Sequence, residues 1–308
     1  MRAEKTLDLS VIVPTYNQAD LLRESLRSLL DQKLPKEAYE IVVVDDGSTD
    51  HTAAVLREFG APIRTVQLPA NRGRSGARNE GIRRASGQLV TFVDSDIIVR
   101  QDFLTWHLDT YRSHGPGVLS RGPVVLVPDV QTARHGPMPR LATSPAYLDT
   151  ANASVERSAL LKAGLFDERF PGYGWEDFEL GLRLRRLGIR RVFCRQAVAF
   201  HVQPPITSAS IQSLLRKEEQ RAKSAVYFYR KHPTSEVRLL IQATPVHQLL
   251  YSIQSGCGLL TPKNVEGIAG RLRRSGRTGL ADLVLRGVLN RHYLQRLGDE
   301  LANSRHRG

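Results

Sequence analysis

The chain has 308 residues, 41% of them hydrophobic, so it holds enough apolar material for one large domain or a domain with an appendage. Its N-terminal stretch MRAEKTLDLS lacks the apolar run of a secretory signal, and no later stretch approaches the ~18 uncharged apolar residues of a membrane span, so a cytoplasmic protein is expected. Of a net charge of +13, the part after residue 204 carries 17 Lys and Arg against 7 Asp and Glu; the part before it carries 27 against 24. The basicity belongs to the tail, where the alternatives are a solvated arginine face and a surface for anionic partners.

In chain order, LSVIV is a short β-branched run ended by Pro14, and ADLLRESLRSLLDQ repeats leucine at helical spacing, giving strand then helix. The alternation continues with YEIVVVDD as a strand, STDHTAAVLREFG as a capped helix ending at Gly60, PIRTVQLP as a strand, GRSGARNEGIRRASG as a helix ending at Gly87, and QLVTFVDSD as a strand. Near-continuous apolar strands alternating with helices predict an α/β, mainly parallel sheet covered on both faces. Ligands in such sheets bind beyond the carboxyl ends of the strands. From GVLSRGPVVLVPD to about Tyr147, strands and loops of weaker order are expected. ANASVERSALLKAGLFDERF returns to strand and helix, GYGWEDFELGLRLRRLG is a glycine-rich entry into a helix, and RRVFCRQAVAFHV is a final strand. Beyond Pro204 and Pro205 only helices are predicted, dividing the chain into residues 1–205 and a basic helical extension, 206–308. Cys194 and Cys257 show no ligand spacing and read as ordinary thiols.

Polar residues close the strands. Asp94 and Asp96, two apart in extended geometry, point to one side. Two converging carboxylates suit Mg²⁺ or Mn²⁺ held together with a nucleotide diphosphate; the alternative is an Asp-Ser turn in which one carboxylate caps the next segment. Asp45 and Asp46 close an earlier strand, where a carboxylate can accept hydrogen bonds from a base or ribose while Ser48 or Asp50 caps the following helix. Arg72, Arg74 and Arg78 lie among glycines at a helix start and suit a diphosphate, or form a solvated face. Glu176 and Asp177 follow Gly172, Gly174 and Trp175. They are either favourable charges on a helix dipole or, beside an exposed indole, a base at a sugar-binding wall. His201, at the end of the last strand, is a candidate third metal ligand.

The ordered set of Pro14-Thr15-Tyr16-Asn17, VVVDDGSTD, the N-x-G-x-x-x-A-R-N segment from Asn71 to Asn79, VDSD, GLFDERF and GWEDFELGLRLRRLG resembles the family 2 glycosyltransferases of GT-A fold over residues 8–204. The resemblance implies that Asp46 and the residues from Pro14 to Asn17 hold the base and ribose of a nucleotide-sugar donor. It also implies that Arg78 and Ser95 lie near the nucleotide and that Asp94 and Asp96 bind Mn²⁺ or Mg²⁺ on the diphosphate. His201 matches a metal ligand of some members. Asp177, with Glu176 beside it, would be the base in an inverting transfer from a UDP-sugar to a carbohydrate or lipid-linked acceptor near Gly174 and Trp175. The basic tail would touch an anionic membrane at its inner face, and no nucleic acid is expected as a partner. Competing readings are a nucleotidyltransferase, which more often carries a glycine-rich loop where this chain has PTYNQAD, and a non-catalytic anionic-surface or nucleic-acid binding protein.

Overall fold

The computed structural model describes residues 7–136, 146–203, 208–254 and 258–305. The expected break at Pro204 and Pro205, and Cys257, lie outside them. The chain divides into two compact units: one runs to Glu168 and resumes at Glu176, and the other joins Arg169–Trp175 to the chain beyond residue 204.

The first unit is built on β1 (Leu9–Thr15), α1 (Ala19–Leu30), β2 (Tyr39–Asp45), α2 (Thr52–Phe59), β3 (Arg64–Gln67), α3 (Gly73–Arg84), β4 (Leu89–Phe92), β5 (Ile97–Val99), α4 (Phe103–His114), β6 (Val118–Arg121), β7 (Val124–Val127), α5 (Val130–His135), β8 (Ala153–Glu156), α6 (Arg157–Ala163), α7 (Glu176–Arg186), β9 (Arg190–Phe193) and β10 (Ala199–Val202). Seven strands form one sheet in the order β3-β2-β1-β4-β8-β6-β9, and β5-β10-β7 form a smaller one. Pairing in the large sheet is parallel except around β8, which runs antiparallel to β4 and β6.

Side-chain alternation builds a core on each face of the large sheet. Val11, Val13, Ile41 and Val43 meet α1 through Leu22, Leu26 and Leu29, α2 through Val55, and α4 through Phe103, Leu104 and Leu108. Ile12, Val42, Val44 and Val90 face the other way, onto Ala77 and Ile82 of α3, Leu160 of α6, and Leu180 and Leu184 of α7. At Gly81 a Cβ would stand 2.4 Å from Ile12 Cγ2, so glycine lets α3 lie close against β1. That approach sets the height at which Arg78 meets the strand ends.

The structure departs from expectation in the middle of the chain. α4 and β5 are regular elements that the pattern did not single out, and RRVFCRQAVAFHV is two strands in two sheets, β9 and β10. The second unit contains α8 (Ser208–Lys231), α9 (Ser235–Leu240), α10 (Pro245–Gln254), α11 (Val265–Arg274) and α12 (Thr278–Arg305), with a core of Ile211, Leu215, Val265, Ala269, Ala281, Leu285 and Val288.

Candidate active site

The polar residues gather beyond the carboxyl ends of β1, β2 and β4. After β1, Asn17 takes a left-handed backbone (φ 51°), which asparagine tolerates. Its Oδ1 accepts the N–H groups of Thr49 (2.8 Å) and Asp50 (3.3 Å), and its own N–H donates to Ser48 Oγ (3.0 Å). Asn17 therefore ties the β1 end to the loop after β2. The N-cap of α2 is His51, not the expected Ser48 or Asp50; Asp50, one residue earlier, still takes up an N–H of the first turn, its Oδ1 accepting from Thr52 at 3.0 Å. Next to Asn17, Tyr16 is exposed and Thr15 is buried, with its Oγ1 unbonded.

Asp46 is buried, and its Oδ1 accepts Arg72 N–H at 2.7 Å. Burial raises its proton affinity against the opposing N–H groups of Arg72 and Gly73. One oxygen of Asp46 thus anchors the start of α3. Arg72 itself pairs with Glu168 at 2.7 Å.

Asp94, Ser95 and Asp96 lie in a turn, closed by Ile97 N–H donating to the Asp94 carbonyl at 3.1 Å. The strand ends at Phe92, so the two carboxylates do not share a strand face. Asp94 Oδ1 receives Arg78 Nη2 at 2.8 Å, whereas Asp96 Oδ2 lies 3.1 Å from His201 Nε2 on β10. Ser95 Oγ donates to Gln18 at 2.7 Å.

Arg78 is only 1% exposed. Its guanidinium also reaches Glu176 Oε1 at 3.3 Å and packs over the Phe166 ring at 5.6 Å. Burial opposes its charge, but Asp94 and Glu176 outweigh burial, and its proton affinity rises. Arg78 is therefore neither solvated nor open to a phosphate; it neutralises the carboxylates around it.

Asp177 follows Glu176 in the first turn of α7 and accepts the Phe178 N–H at 2.8 Å. Burial, then the charges of Glu176 and Asp149, push its carboxyl well above the usual aspartate range, although part of its surface stays accessible. Asp149 was missing from the sequence reading. It lies just beyond an apparently loop-rich stretch with no motif around it, and burial raises its carboxyl against the pull of Arg121.

Asp96 and His201 make a second cluster. Burial would raise the Asp96 carboxyl, but the hydrogen bond and charge of His201 hold it below the usual range; Asp96 in turn raises the imidazole's proton affinity against burial. Asp96 Oδ1 is buried and unbonded. A carboxylate with a spare oxygen beside an imidazole nitrogen fits a divalent cation that takes its remaining ligands from phosphate and water. The expected trio of Asp94, Asp96 and His201 does not converge, and among the described residues no three such ligands do. The physical reason is that Arg78 holds Asp94 while the turn directs Asp96 toward β10.

The expected exposed indole is also absent: Trp175 is 5% exposed, and its Nε1–H donates to the Arg221 carbonyl within the second unit at 3.0 Å.

Residues 10–157 match the family model described as Glycosyl transferase family 2. Among similar curated proteins, an uncharacterized glycosyltransferase of Bacillus subtilis is 26% identical, with 67% of each chain covered. Validoxylamine A glucosyltransferase of Streptomyces hygroscopicus is 29% identical over 73% of this chain, which spans 61% of that protein. The poly(ribitol-phosphate) beta-N-acetylglucosaminyltransferase TarS of Staphylococcus aureus is 34% identical over 51% of this chain, which spans 28% of TarS. Among solved structures, a mannosyltransferase of Pyrobaculum calidifontis in complex with GDP-Man and Mn²⁺ superposes with a TM-score of 0.57 at 20% identity, covering 92% of this chain and 86% of that one. Residues 1–349 of TarS in complex with UDP-GlcNAc superpose with a TM-score of 0.53 at 17% identity, covering 96% and 92%. Residues 10–157 are thus matched by the family 2 glycosyltransferase model, and the strand order and the carboxylates at the strand ends go with the α/β fold of these solved neighbours.

Proposed function

We propose that the protein transfers a sugar from a nucleotide-diphosphate donor, a UDP-sugar, to an acceptor hydroxyl with inversion, in the building of a cell-envelope glycan. The observation that carries this reading is Asp177: a partly accessible carboxyl whose proton affinity is raised by burial, Glu176 and Asp149. A base works best when its pKa approaches the operating pH, and this surrounding moves an aspartate in that direction. UDP-GlcNAc in the TarS complex and glycan-building relatives support the donor and acceptor classes.

In this reading the donor lies across the ends of β1, β2 and β4. Tyr16, exposed at the β1 end, offers a ring to the base, and the Asp46 carboxylate, anchored by Arg72 N–H, accepts a ribose hydroxyl. Asp96 and His201 would hold Mn²⁺ or Mg²⁺, which supplies charge neutralisation on the departing diphosphate. Arg78 keeps Asp94 and Glu176 in place and limits their repulsion of Asp177. Asp177 takes the proton from the acceptor hydroxyl as it attacks the face of the sugar opposite the leaving group.

We further propose that the helical extension meets an anionic bilayer surface. Val246, Leu249, Leu250 and Ile253 form one face of α10 and are 72%, 65%, 46% and 62% exposed. The chain after residue 204 carries the excess of basic residues noted above, so apolar insertion and attraction to anionic lipid act together. Among the described residues no helix is long and apolar enough to cross a membrane.

Calorimetry with UDP, GDP and dTDP, with Mn²⁺ and with EDTA, tests the donor and metal assignments. UDP binding that weakens at least tenfold in EDTA, and to the same extent in Asp96→Asn, is expected. Equal affinity with and without the metal contradicts the metal assignment.

A further inference from the structure

The motif GLFDERF begins at Gly164, and its part up to Glu168 belongs to the first unit, where it is stitched to α3. The chain leaves α6 through two left-handed residues, Gly164 (φ 85°) and Leu165 (φ 61°). Arg183 of α7, held by Glu179 at 2.6 Å, donates to the carbonyl of Ala163 and, at 2.6 Å, to that of Leu165. Phe166 then meets the Asn79 side chain twice: its N–H donates to Asn79 Oδ1 and its carbonyl accepts from Asn79 Nδ2, each at 2.9 Å.

This strap delivers Glu168 to the start of α3. Its Oε1 accepts Asn79 Nδ2 at 2.9 Å, its Oε2 accepts Arg72 Nη2 at 2.7 Å, and Arg83 Nη2 lies 3.7 Å from Oε1. Residues 72, 79 and 83 follow one another at the spacing that places side chains on one helix face. Arg72 reaches back along that face because position 76 is glycine: a Cβ there would stand 2.8 Å from Arg72 Cβ and 3.4 Å from Glu168 Oε2. Burial would raise the Glu168 carboxyl, but the hydrogen bonds from Asn79 and Arg72 hold it below the usual glutamate range, so it clamps Arg72 as a carboxylate.

An ion pair this open adds little to stability, since the Arg72 side chain is 43% exposed and that of Glu168 30%. What it fixes is a backbone group. While the Arg72 guanidinium points to Glu168, the Arg72 N–H donates to Asp46 Oδ1 at 2.7 Å.

We infer that Glu168 is a positioning residue for nucleotide binding: by holding Arg72 it fixes the backbone N–H that orients the Asp46 carboxylate toward the ribose. The relay Glu168–Arg72–Asp46 lies wholly within the first unit. It rests on the reading of Asp46 as the ribose ligand.

The test compares Glu168→Ala, Glu168→Gln, Arg72→Met, Asp46→Ala and the pair Glu168→Ala/Asp46→Ala in the full chain, at a temperature where circular dichroism shows each to be folded. The Kd of UDP is read by calorimetry with Mn²⁺, and kcat by release of UDP from UDP-glucose or UDP-GlcNAc at saturation. Glu168→Ala should raise the UDP Kd about tenfold and leave kcat within about twofold, because it disturbs donor binding and not the transfer step. Arg72→Met, which breaks the same pair from its other side and keeps the backbone N–H, should raise Kd to the same extent. Glu168→Gln, which keeps one acceptor oxygen for Arg72, should recover part of the affinity. In the Asp46→Ala background Glu168→Ala should add nothing. A Glu168→Ala protein that melts earlier but binds UDP like the wild type overturns the inference, as does a rise in Kd equally large with and without Asp46, or a loss confined to kcat. If Asp46→Ala itself binds UDP like the wild type, the ribose assignment fails and the relay with it; if Asp46→Ala alone weakens binding, only the relay fails.

Discussion

Replacing Asp177 with Asn separates chemistry from stability. The amide keeps the shape and the oxygen that receives Phe178 N–H, but cannot accept a proton. Transfer should fall about 10²- to 10⁴-fold, the usual worth of a general base, with donor Kd unchanged. The same substitution should stabilise the protein at pH 8. Burial first, then Glu176 and Asp149, raise the proton affinity of Asp177 in the folded state, so the ionised form is the one that folding disfavours. The stability this group contributes is fully present below the ordinary aspartate value of 3.8 and is lost as pH rises through the higher folded value. Each unit between the two values corresponds to about 1.4 kcal/mol. About 1 kcal/mol moves the melting midpoint of a unit this size by roughly 2–4 °C. Asn has no ionised form, so the variant should melt at least ~2 °C above the wild type at pH 8 and with it at pH 4. Scanning calorimetry at pH 4, 6 and 8, paired with transfer rates at each pH, measures both effects. Undiminished transfer would refute the base; a midpoint below the wild type at pH 8 would refute the electrostatic argument.

Arg78→Met should lower stability by about 3–5 kcal/mol, because it leaves Asp94 and Glu176 beside Asp177 with no cation; denaturant midpoints check this, and an unchanged midpoint contradicts it. Arg78→Lys should recover only part of that loss, since one ammonium cannot reproduce the guanidinium fork. His107, buried between Ser120 Oγ (3.0 Å) and Asn152 Oδ1 (2.9 Å), has its pKa lowered by burial from 6.5 to about 4. Its contribution is therefore full above pH 6.5 and lost as pH falls through about 4, so the melting midpoint should drop across that window, and more gently in His107→Gln; equal slopes would contradict this. Co-sedimentation with vesicles containing phosphatidylglycerol should require the anionic lipid, weaken with salt and disappear in Leu249→Asp/Ile253→Asp. Binding to neither vesicle type at low salt would remove the membrane from the account, and self-association abolished by the same pair would assign the face to a second copy.

Much of the fold was legible because β1, β2 and β4 are nearly uninterrupted apolar runs bounded by proline, glycine or aspartate, because the polar strand β3 is set off by Pro62 and Pro69, and because leucines stand at helical spacing in α1. The middle was not. β6 is four residues that bury Ser120 and Arg121, and α4 buries His107, so neither shows the apolar period of its class. At the site, residue types and their position at strand ends were readable, but partners were not. Nothing local distinguishes Arg78 from Arg72 or Arg74, because its two acids lie 16 and 98 residues away. Asp94 and Asp96 looked equivalent until the turn and Arg78 separated them. Trp175 read as exposed because aromatic residues beside glycines often are; its burial depends on α8 and α12, which no local pattern connects to it.

The most direct test of glycosyl transfer needs no knowledge of the acceptor. The protein is incubated with Mn²⁺ and, separately, UDP-glucose, UDP-GlcNAc, GDP-mannose and a dTDP-sugar, and released nucleoside diphosphate is quantified, since water can replace the acceptor slowly. Release is expected from at least one UDP-sugar, abolished by EDTA and reduced at least about 10²-fold in Asp177→Asn. Absence of release from every donor by protein that binds UDP, or release equal in wild type and Asp177→Asn, would contradict it.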